Sequence, residues 1–416
     1  MRQRYPFRVD FIVRQHGGDK TKNFMEPTMS NIHVCLVSVQ TIPNILSIHH
    51  FKPDEILFIS TEMMRQKDKV GAIIRTLDRL GLDYKNRHET IEVMADNLLD
   101  CSKKIEAWTD GKEDADFSVN LTGGTKIMSI AAYEHFMDFG CRMIYIPIPK
   151  NEFITPYPIK KIGKSEPLRL RLGIAEYLTA YGLEIINENK LQHSINAANE
   201  RKDISKWMAE NYANLKTILT CLGDRLRNHR NEDSYNLTFK YDTQDSKGLE
   251  LLNKMEFHCE GEFASKTLNK SEMQYLTGGW LEEFCFNSLN ELKGKGIDDA
   301  LININIRKTK TVENEFDVMF TKDNTLHVVE CKSLDQGHDK KTDILYKISA
   351  LQKDLGLRVT SFLLSTSTFL LDKKGDINQH IASRAKELNT EVIHPSDLPN
   401  FSKIISEKLH IGEPSK

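Results

Sequence analysis

The chain has 416 residues, 39% hydrophobic and 28% charged, enough for two or three cooperatively folded domains. Fifty-seven Lys plus Arg stand against 59 Asp plus Glu, a formal net charge of −2, which argues against a protein that coats nucleic acid by bulk positive charge. No apolar run approaches the roughly 20 residues of a membrane span, the first 28 residues lack a signal-peptide core, and seven scattered cysteines include no C-x-x-C. Neither a disulfide framework nor a zinc knuckle is expected, and the expected location is the cytoplasm.

Residues 1–28 lack sustained periodicity and read as an N-terminal arm or a start-site extension, with the working domain beginning at Met29. From Ile32 the pattern becomes regular. Apolar β-rich runs at 32–39 and 55–59 are each followed by a helix-like segment, the second over 69–80 with Val70, Ile73, Ile74, Leu77 and Leu80 on one face. A strand over 88–93, a helix over 95–108, a strand over 117–121, a helix over 125–139 and a strand over 142–146 complete the series. This alternation predicts parallel βαβ units and a Rossmann-like sheet, with ligands at the carboxyl ends of its strands. Prolines 147, 149, 156 and 158 then mark a boundary near residue 150. Residues 151–275 are expected to form a linker and connector with helices over 169–181 and 204–226 and a strand over 237–241. The unit over 276–416 reads as a helix (279–292), a strand (301–307), a hairpin (316–332), a helix (342–355), a strand (359–365) and two closing helices (377–388 and 397–409). Adjacent His49–His50 and His258–Cys259 read as surface or packed side chains, since neighbours in sequence point in different directions.

Two segments carry chemistry. Leu121-Thr122-Gly123-Gly124-Thr125-Lys126 joins a strand to a helix. Its glycines permit positive φ and close approach of a ligand, and the helix start, two hydroxyls and a lysine favour an anion. It matches neither G-x-x-x-x-G-K-[ST] nor G-x-G-x-x-G, so nucleoside-triphosphatase and nicotinamide chemistry are not indicated. Ser38, Gln40, Thr41 and Asn44 after the first strand, and Thr61 and Glu62 after the second, are expected along the same edge, able to read a base or ribose. Ordinary turn and cap chemistry is the competing account.

The second segment, 314–332, reads as a hairpin turning at Asp323-Asn324. That register sets Asp317 opposite Glu330 and Glu315 opposite Lys332, while alternation keeps Glu330 and Lys332 on one face and Cys331 on the other. Paired carboxylates predict a hard divalent ion, Mg²⁺ or Mn²⁺. With Lys332 to position water or stabilise developing charge, the group suits phosphodiester hydrolysis. The helix beginning Gly279-Trp280-Leu281-Glu282-Glu283 offers a further acid, Glu282 first and Glu283 as the alternative, while Trp280, Phe284 and Phe286 read as core.

Asp317, Glu330 and Lys332, spaced D-x₁₂-E-x-K behind a Glu-bearing helix, resemble the PD-(D/E)xK restriction-endonuclease-like nucleases, with Phe316 where the family often has proline. The first domain, with Thr122-Gly123-Gly124-Thr125-Lys126, resembles a CARF domain, the sensor of cyclic oligoadenylates in type III CRISPR immunity. The resemblance covers roughly residues 29–149 and 278–388. It implies a homodimeric nuclease switched on by cyclic tetra-adenylate, with Asp317, Glu330 and Glu282 holding the metal, and leaves DNA nicking, single-stranded DNA cleavage and RNA cleavage as alternatives. Competing readings are a nucleotide-sensing protein with a degenerate nuclease fold, an unregulated repair or restriction nuclease, and a sensor that degrades its own ligand. Residues 277–416 carry 19 Lys/Arg against 21 Asp/Glu. Substrate contact is therefore expected to be local, through Arg307, Lys308, Lys310 and Lys332.

Overall fold

The alternating pattern of the first third folds into β1 (Asn31–Leu36), β2 (Glu55–Ser60), β3 (His88–Glu92), β4 (Asp116–Asn120) and β5 (Arg142–Tyr145), all parallel. Described in this computed structural model are residues 30–148, 150–158, 164–309, 312–333, 355–356, 359–367 and 370–412. The expected arm over 1–28, Lys310, and the expected helix over 342–355 except its last residue lie outside them. Strand order is β3-β2-β1-β4-β5, a Rossmann-like arrangement, because each crossover helix buries one apolar face on a sheet whose strands are buried on both sides. The helix Leu98–Thr109 starts where the Asn97 side chain accepts the Asp100 N–H, and Lys126–Asp138 starts where Thr125 accepts that of Met128.

The sheet runs past residue 150: β6 (Glu152–Tyr157) and β7 (Ser165–Pro167) extend it antiparallel. The segment expected as a connector is in fact divided among its neighbours. After the helix Ile174–Tyr181, ended by left-handed Gly182, β8 (Glu184–Ile185) joins the C-terminal sheet. The expected helix over 204–226 is two helices, Lys202–Glu210 and Tyr212–Leu226, broken at Asn211. They pack with a three-stranded antiparallel sheet of β9 (Ser234–Lys240), β10 (His258–Glu260) and β11 (Phe263–Asn269).

The second large sheet contains β12 (Asp299–Thr309), β13 (Val312–Lys322), β14 (Thr325–Lys332), β15 (Thr360–Ser365) and β16 (Thr390–Ile393), in the order β16-β15-β14-β13-β12-β8. The hairpin β13–β14 lies at its centre, antiparallel on one side and parallel to β15 on the other. Hydrophobic cores cross the expected boundaries. One runs from Ile42 and Ile45, on the helix Ile42–Phe51, and Phe58 of β2 through Tyr177 and Leu178 to Phe316, Met319 and Val328 of the second sheet. Another joins Leu215, Leu219 and Phe239 to Trp280, Phe284 and Val329. Such continuous apolar burial binds the parts together far more than a flexible linker would.

Candidate functional site

Asp323 and Asn324 both adopt left-handed backbone, φ 51° and 58°, as a two-residue type I′ hairpin turn requires. The ladder pairs Lys322–Thr325 through Val318–Val329, the register read from the sequence, and Asp317 and Glu330 are the next positions. There Asp317 Oδ2 accepts the Cys331 N–H at 2.7 Å. Glu330 is 3% exposed, with Oε1 3.0 Å from Lys332 Nζ. Cys331 turns into the core. Burial works against the Lys332 ammonium, but Glu330, Asp317 and Glu282 outweigh it and hold its pKa above the ordinary value.

The helix Trp280–Asn290 brings the fourth group. It follows a π-turn, Tyr275–Gly279, in which Gly278 has φ 146°, and a Cβ on Gly278 would lie 2.6 Å from Ser333 Oγ. Only glycine lets the helix start so close to the end of β14. The two adjacent glutamates then separate. Glu283 Oε2 accepts from Arg201 Nε at 2.9 Å, Arg201 also donates to Ser271 Oγ at 3.1 Å, and its guanidinium lies over the Tyr275 ring. Glu283 thereby joins the framework. Glu282 faces the hairpin: burial first, then the Asp317 carboxylate and Glu315, push its pKa up to about 8 against the pull of Arg230 and Lys332. Trp280, Phe284 and Phe286 are buried, as expected of core.

Three crowded carboxylates, Glu330 buried and Glu282 raised in pKa, suit a hard divalent cation, which would relieve their mutual repulsion. Among the described residues no three His, Cys, Asp or Glu side chains already converge to ligand geometry; Glu330 is engaged by Lys332 and Asp317 by the Cys331 amide. Of the expected local cations, Arg307 pairs with Glu313 at 2.8 Å, and Lys310 lies outside the described residues. Sequence reasoning missed Arg230, Arg201 and Gly278. The run Arg225-Leu226-Arg227-Asn228-His229-Arg230 was the one available signal for the first.

At the first sheet, the loops after β1 and β4 meet where the strand order reverses, the usual ligand position in such sheets. A cleft of 510 Å³ is lined there by Ser38, Thr61, Glu62, Met94, Lys104 and Thr125, among others, with Gly124 also on its wall. Thr125 Oγ1 donates to Ala95 O at 2.7 Å while it caps its helix. Lys126 is exposed at the helix start. Thr41, Asn44 and Thr122 point elsewhere than expected. Thr41 is fully buried and donates to Ala180 O at 2.6 Å. Asn44 Nδ2 donates to Leu36 O at 3.0 Å, and its Oδ1 accepts from Asn120 Nδ2 at 3.0 Å. Thr122 Oγ1 donates to Asn120 Oδ1 and accepts the Ile146 N–H. Asn120, whose Nδ2 also reaches Pro43 O and Ser47 Oγ, is the hub of this network.

Residues 32–177 match the family described as Card1 CARF domain, and residues 269–411 match the Card1-like endonuclease domain. The chain is a CARF endonuclease of the Card1 type. Among solved structures, protein VC1899 from Vibrio cholerae has a TM-score of 0.75 at 19% identity, over 92% of this chain and 99% of that one. Can2 from Sulfobacillus thermosulfidooxidans, solved in complex with cyclic tetra-adenylate, has a TM-score of 0.72 at 20% identity, over 92% of this chain and 100% of that one. Both show the same fold through both domains. No curated protein matches the sequence.

Within the CARF domain the two glycines serve packing. A Cβ on Gly123 would lie 2.0 Å from Leu36 O, and one on left-handed Gly124 (φ 73°) 3.0 Å from Leu36 Cβ. They let the loop after β4 lie on the end of β1. The endonuclease hairpin is anchored to the CARF domain at its tip: Asn324 accepts the Leu172 N–H at 2.8 Å and donates to Leu170 O at 2.9 Å. Thr321 Oγ1 donates to Leu172 O at 2.9 Å. The strands that carry Asp317 and Glu330 thus end on the CARF domain.

Proposed function

We propose that this CARF endonuclease is a metal-dependent nuclease of type III CRISPR defence, activated by a cyclic oligoadenylate, cyclic tetra-adenylate, and acting in the cytoplasm on DNA, by nicking or single-strand cleavage, and on RNA. The observation that carries the reading is the meeting of Glu282, Asp317, Glu330 and Lys332 at the end of β14 in a chain whose other domain is a CARF domain. The complex of the similarly folded Can2 with cyclic tetra-adenylate supports the choice of ligand.

In this reading Asp317, Glu330 and Glu282 hold Mg²⁺ or Mn²⁺, which when bound would polarise the scissile phosphodiester and acidify water. Asp317 is oriented by the Cys331 amide, and Glu330 by Lys332. Lys332, held protonated by its acidic neighbours, positions the attacking water or stabilises charge that develops on the phosphate. In the CARF domain, Ser38, Gln40, Thr61, Glu62, Gly124 and Thr125 face the ligand, with the phosphates toward Lys126 at the helix start. The acidic Glu62 suits donor groups of a base better than a phosphate. Thr41, Asn44, Thr122 and Gly123 support this edge from behind.

A second copy of the chain fits the outer face of the helix Lys126–Asp138, where Ile130, Tyr133 and Met137 are 53%, 36% and 38% exposed at helical spacing. An isologous pair would place two copies of the edge around a twofold ring. The test incubates plasmid DNA and labelled RNA with Mn²⁺ or Mg²⁺, with and without cyclic tetra-adenylate, for the wild type and Glu330→Ala. Cutting only by wild type with activator is expected. Equal cutting without activator would overturn the regulation, and cutting by Glu330→Ala would overturn the site.

A further inference from the structure

Basic side chains follow one another at the end of the helix Tyr212–Leu226 and in the turn after it. The Arg225 guanidinium lies over the Phe239 ring. Arg227 pairs with Asp224 at 3.5 Å. His229 stacks on Tyr235, ring centroids 3.7 Å apart, and its Nδ1 lies 2.9 Å from Glu232 Oε1. Arg230 differs. It is half-buried, yet it has neither a hydrogen bond nor an ion pair among the described residues.

The fold brings that turn to the carboxylate cluster. Asp233 O accepts the Lys270 N–H at 3.2 Å, and Lys270 opens the short helix Lys270–Gln274 that leads into the π-turn before Trp280. The chain kinks at Gly278, and Arg201 reaches Ser271 Oγ on one side of the kink and Glu283 on the other. Arg230 is three positions from Asp233, at most roughly 10 Å of chain, and so lies near the start of the helix that carries Glu282. Its charge acts there: it opposes the rise in the Glu282 pKa more strongly than Lys332 does.

The charges leave a role for this cation. The carboxylates of Glu282, Asp317 and Glu330 are balanced by one divalent ion together with Lys332, and Lys332 is already held by Glu330. A phosphodiester brings a negative charge of its own, and a further one develops during attack. A guanidinium without a protein partner is a planar fork of donors, matched to two oxygens of one phosphate. We infer that Arg230 is a substrate-binding residue of the endonuclease, its guanidinium taking a backbone phosphate of the nucleic acid beside Glu282. The inference rests on the reading of this cluster as the nuclease centre. Arg230 comes from outside residues 277–416, which have no basic excess of their own.

The test is fluorescence anisotropy of a labelled single-stranded oligodeoxynucleotide, and of an oligoribonucleotide of the same sequence, titrated with the full chain. Ca²⁺ replaces the catalytic metal so that binding is read without cleavage. Each titration is run with and without cyclic tetra-adenylate over a series of salt concentrations. Arg230→Gln is expected to weaken binding roughly tenfold or more, the effect of a lost charge-assisted hydrogen bond. It should also reduce the slope of log affinity against log salt by about 0.7, the value for one phosphate contact on a single strand. Arg227→Gln, on the same turn, is expected to bind within twofold of wild type. If wild type binds and Arg230→Gln matches it in affinity and slope, the inference is overturned while the nuclease reading stands; an arginine that only balances Glu282 would give that result. An equal loss in Arg227→Gln would also overturn it, since the turn would then act as diffuse charge. If wild type binds neither oligonucleotide, the inference and the nuclease reading fall together. Arg230→Gln should melt at the wild-type temperature, and its failure to fold would assign Arg230 to the framework and overturn the inference.

Discussion

Asn324, at the tip of the endonuclease hairpin, donates through Nδ2 to Asn151 Oδ1 at 2.6 Å, across 173 positions of sequence. Asn151 returns a bond to the neighbouring Asp323 at 2.9 Å. Both asparagines have left-handed backbone, φ 58° and 45°, which asparagine tolerates better than most residues. The CARF sheet and the endonuclease hairpin are therefore joined side chain to side chain at two turns.

Replacing Asn324 by glycine keeps the left-handed turn and removes the tie. Asn151 Oδ1 and the Leu172 N–H lose their partner, so a loss of about 1–3 kcal/mol is expected in urea unfolding. Activator-dependent cleavage should fall more than activator binding, because the tip no longer follows the sensor. Equal losses in binding and cleavage would show that the tie does not couple the domains.

The two adjacent glutamates should behave in opposite ways. Glu283→Ala leaves the largely buried Arg201 guanidinium without its carboxylate, and a destabilisation of about 3 kcal/mol is expected. Glu282→Gln should leave the unfolding midpoint near that of wild type and reduce cleavage by about 100-fold or more, the scale of a lost catalytic group. Paired denaturation and cleavage assays separate the two.

Chelation with EDTA should abolish cleavage, and added Mn²⁺ or Mg²⁺ should restore it in wild type but not in Asp317→Asn or Glu330→Gln. Circular dichroism of these variants should match wild type. Full activity in EDTA would remove the metal from the mechanism.

Gly123→Ala forces a methyl group against the Leu36 carbonyl. That oxygen is backbone and cannot swing away, so a loss of about 3 kcal/mol, the upper end of overpacking, is expected. A melting temperature equal to that of wild type would contradict the packing role given to this glycine.

Stability should fall on acidification. Burial holds His33 of the CARF domain and His327 of the hairpin down to about 3, against about 6.5 unfolded. Between those values the unfolded chain binds protons that the folded chain does not, so folding weakens as pH drops below about 6.5. Each histidine contributes roughly 2 kcal/mol by pH 5. His327→Phe should flatten the decline between pH 7 and 5, measured by urea unfolding, and an unchanged slope would count against it.

The sequence by itself determined what is local. Alternation of apolar residues placed β1 to β5 and their helices within a few positions, because strand and helix periods are properties of the chain. The Asp323–Asn324 turn set the hairpin register, and with it the approach of Asp317 to Glu330, because a two-residue loop leaves little freedom. Tertiary structure decided what depends on partners far along the chain. Glu282 and Glu283 are equivalent as neighbours in sequence and were separated by Arg201, 82 positions away. Thr41, Asn44 and Thr122 look like ligand groups in a loop, yet they turn inward because Ala180, Leu36 and Asn120 offer the partners that buried polar atoms require. The boundary near residue 150 dissolved for the same reason: apolar side chains on both sheets found a common core through Tyr177 and Leu178, and burial follows contact in space, not distance along the chain.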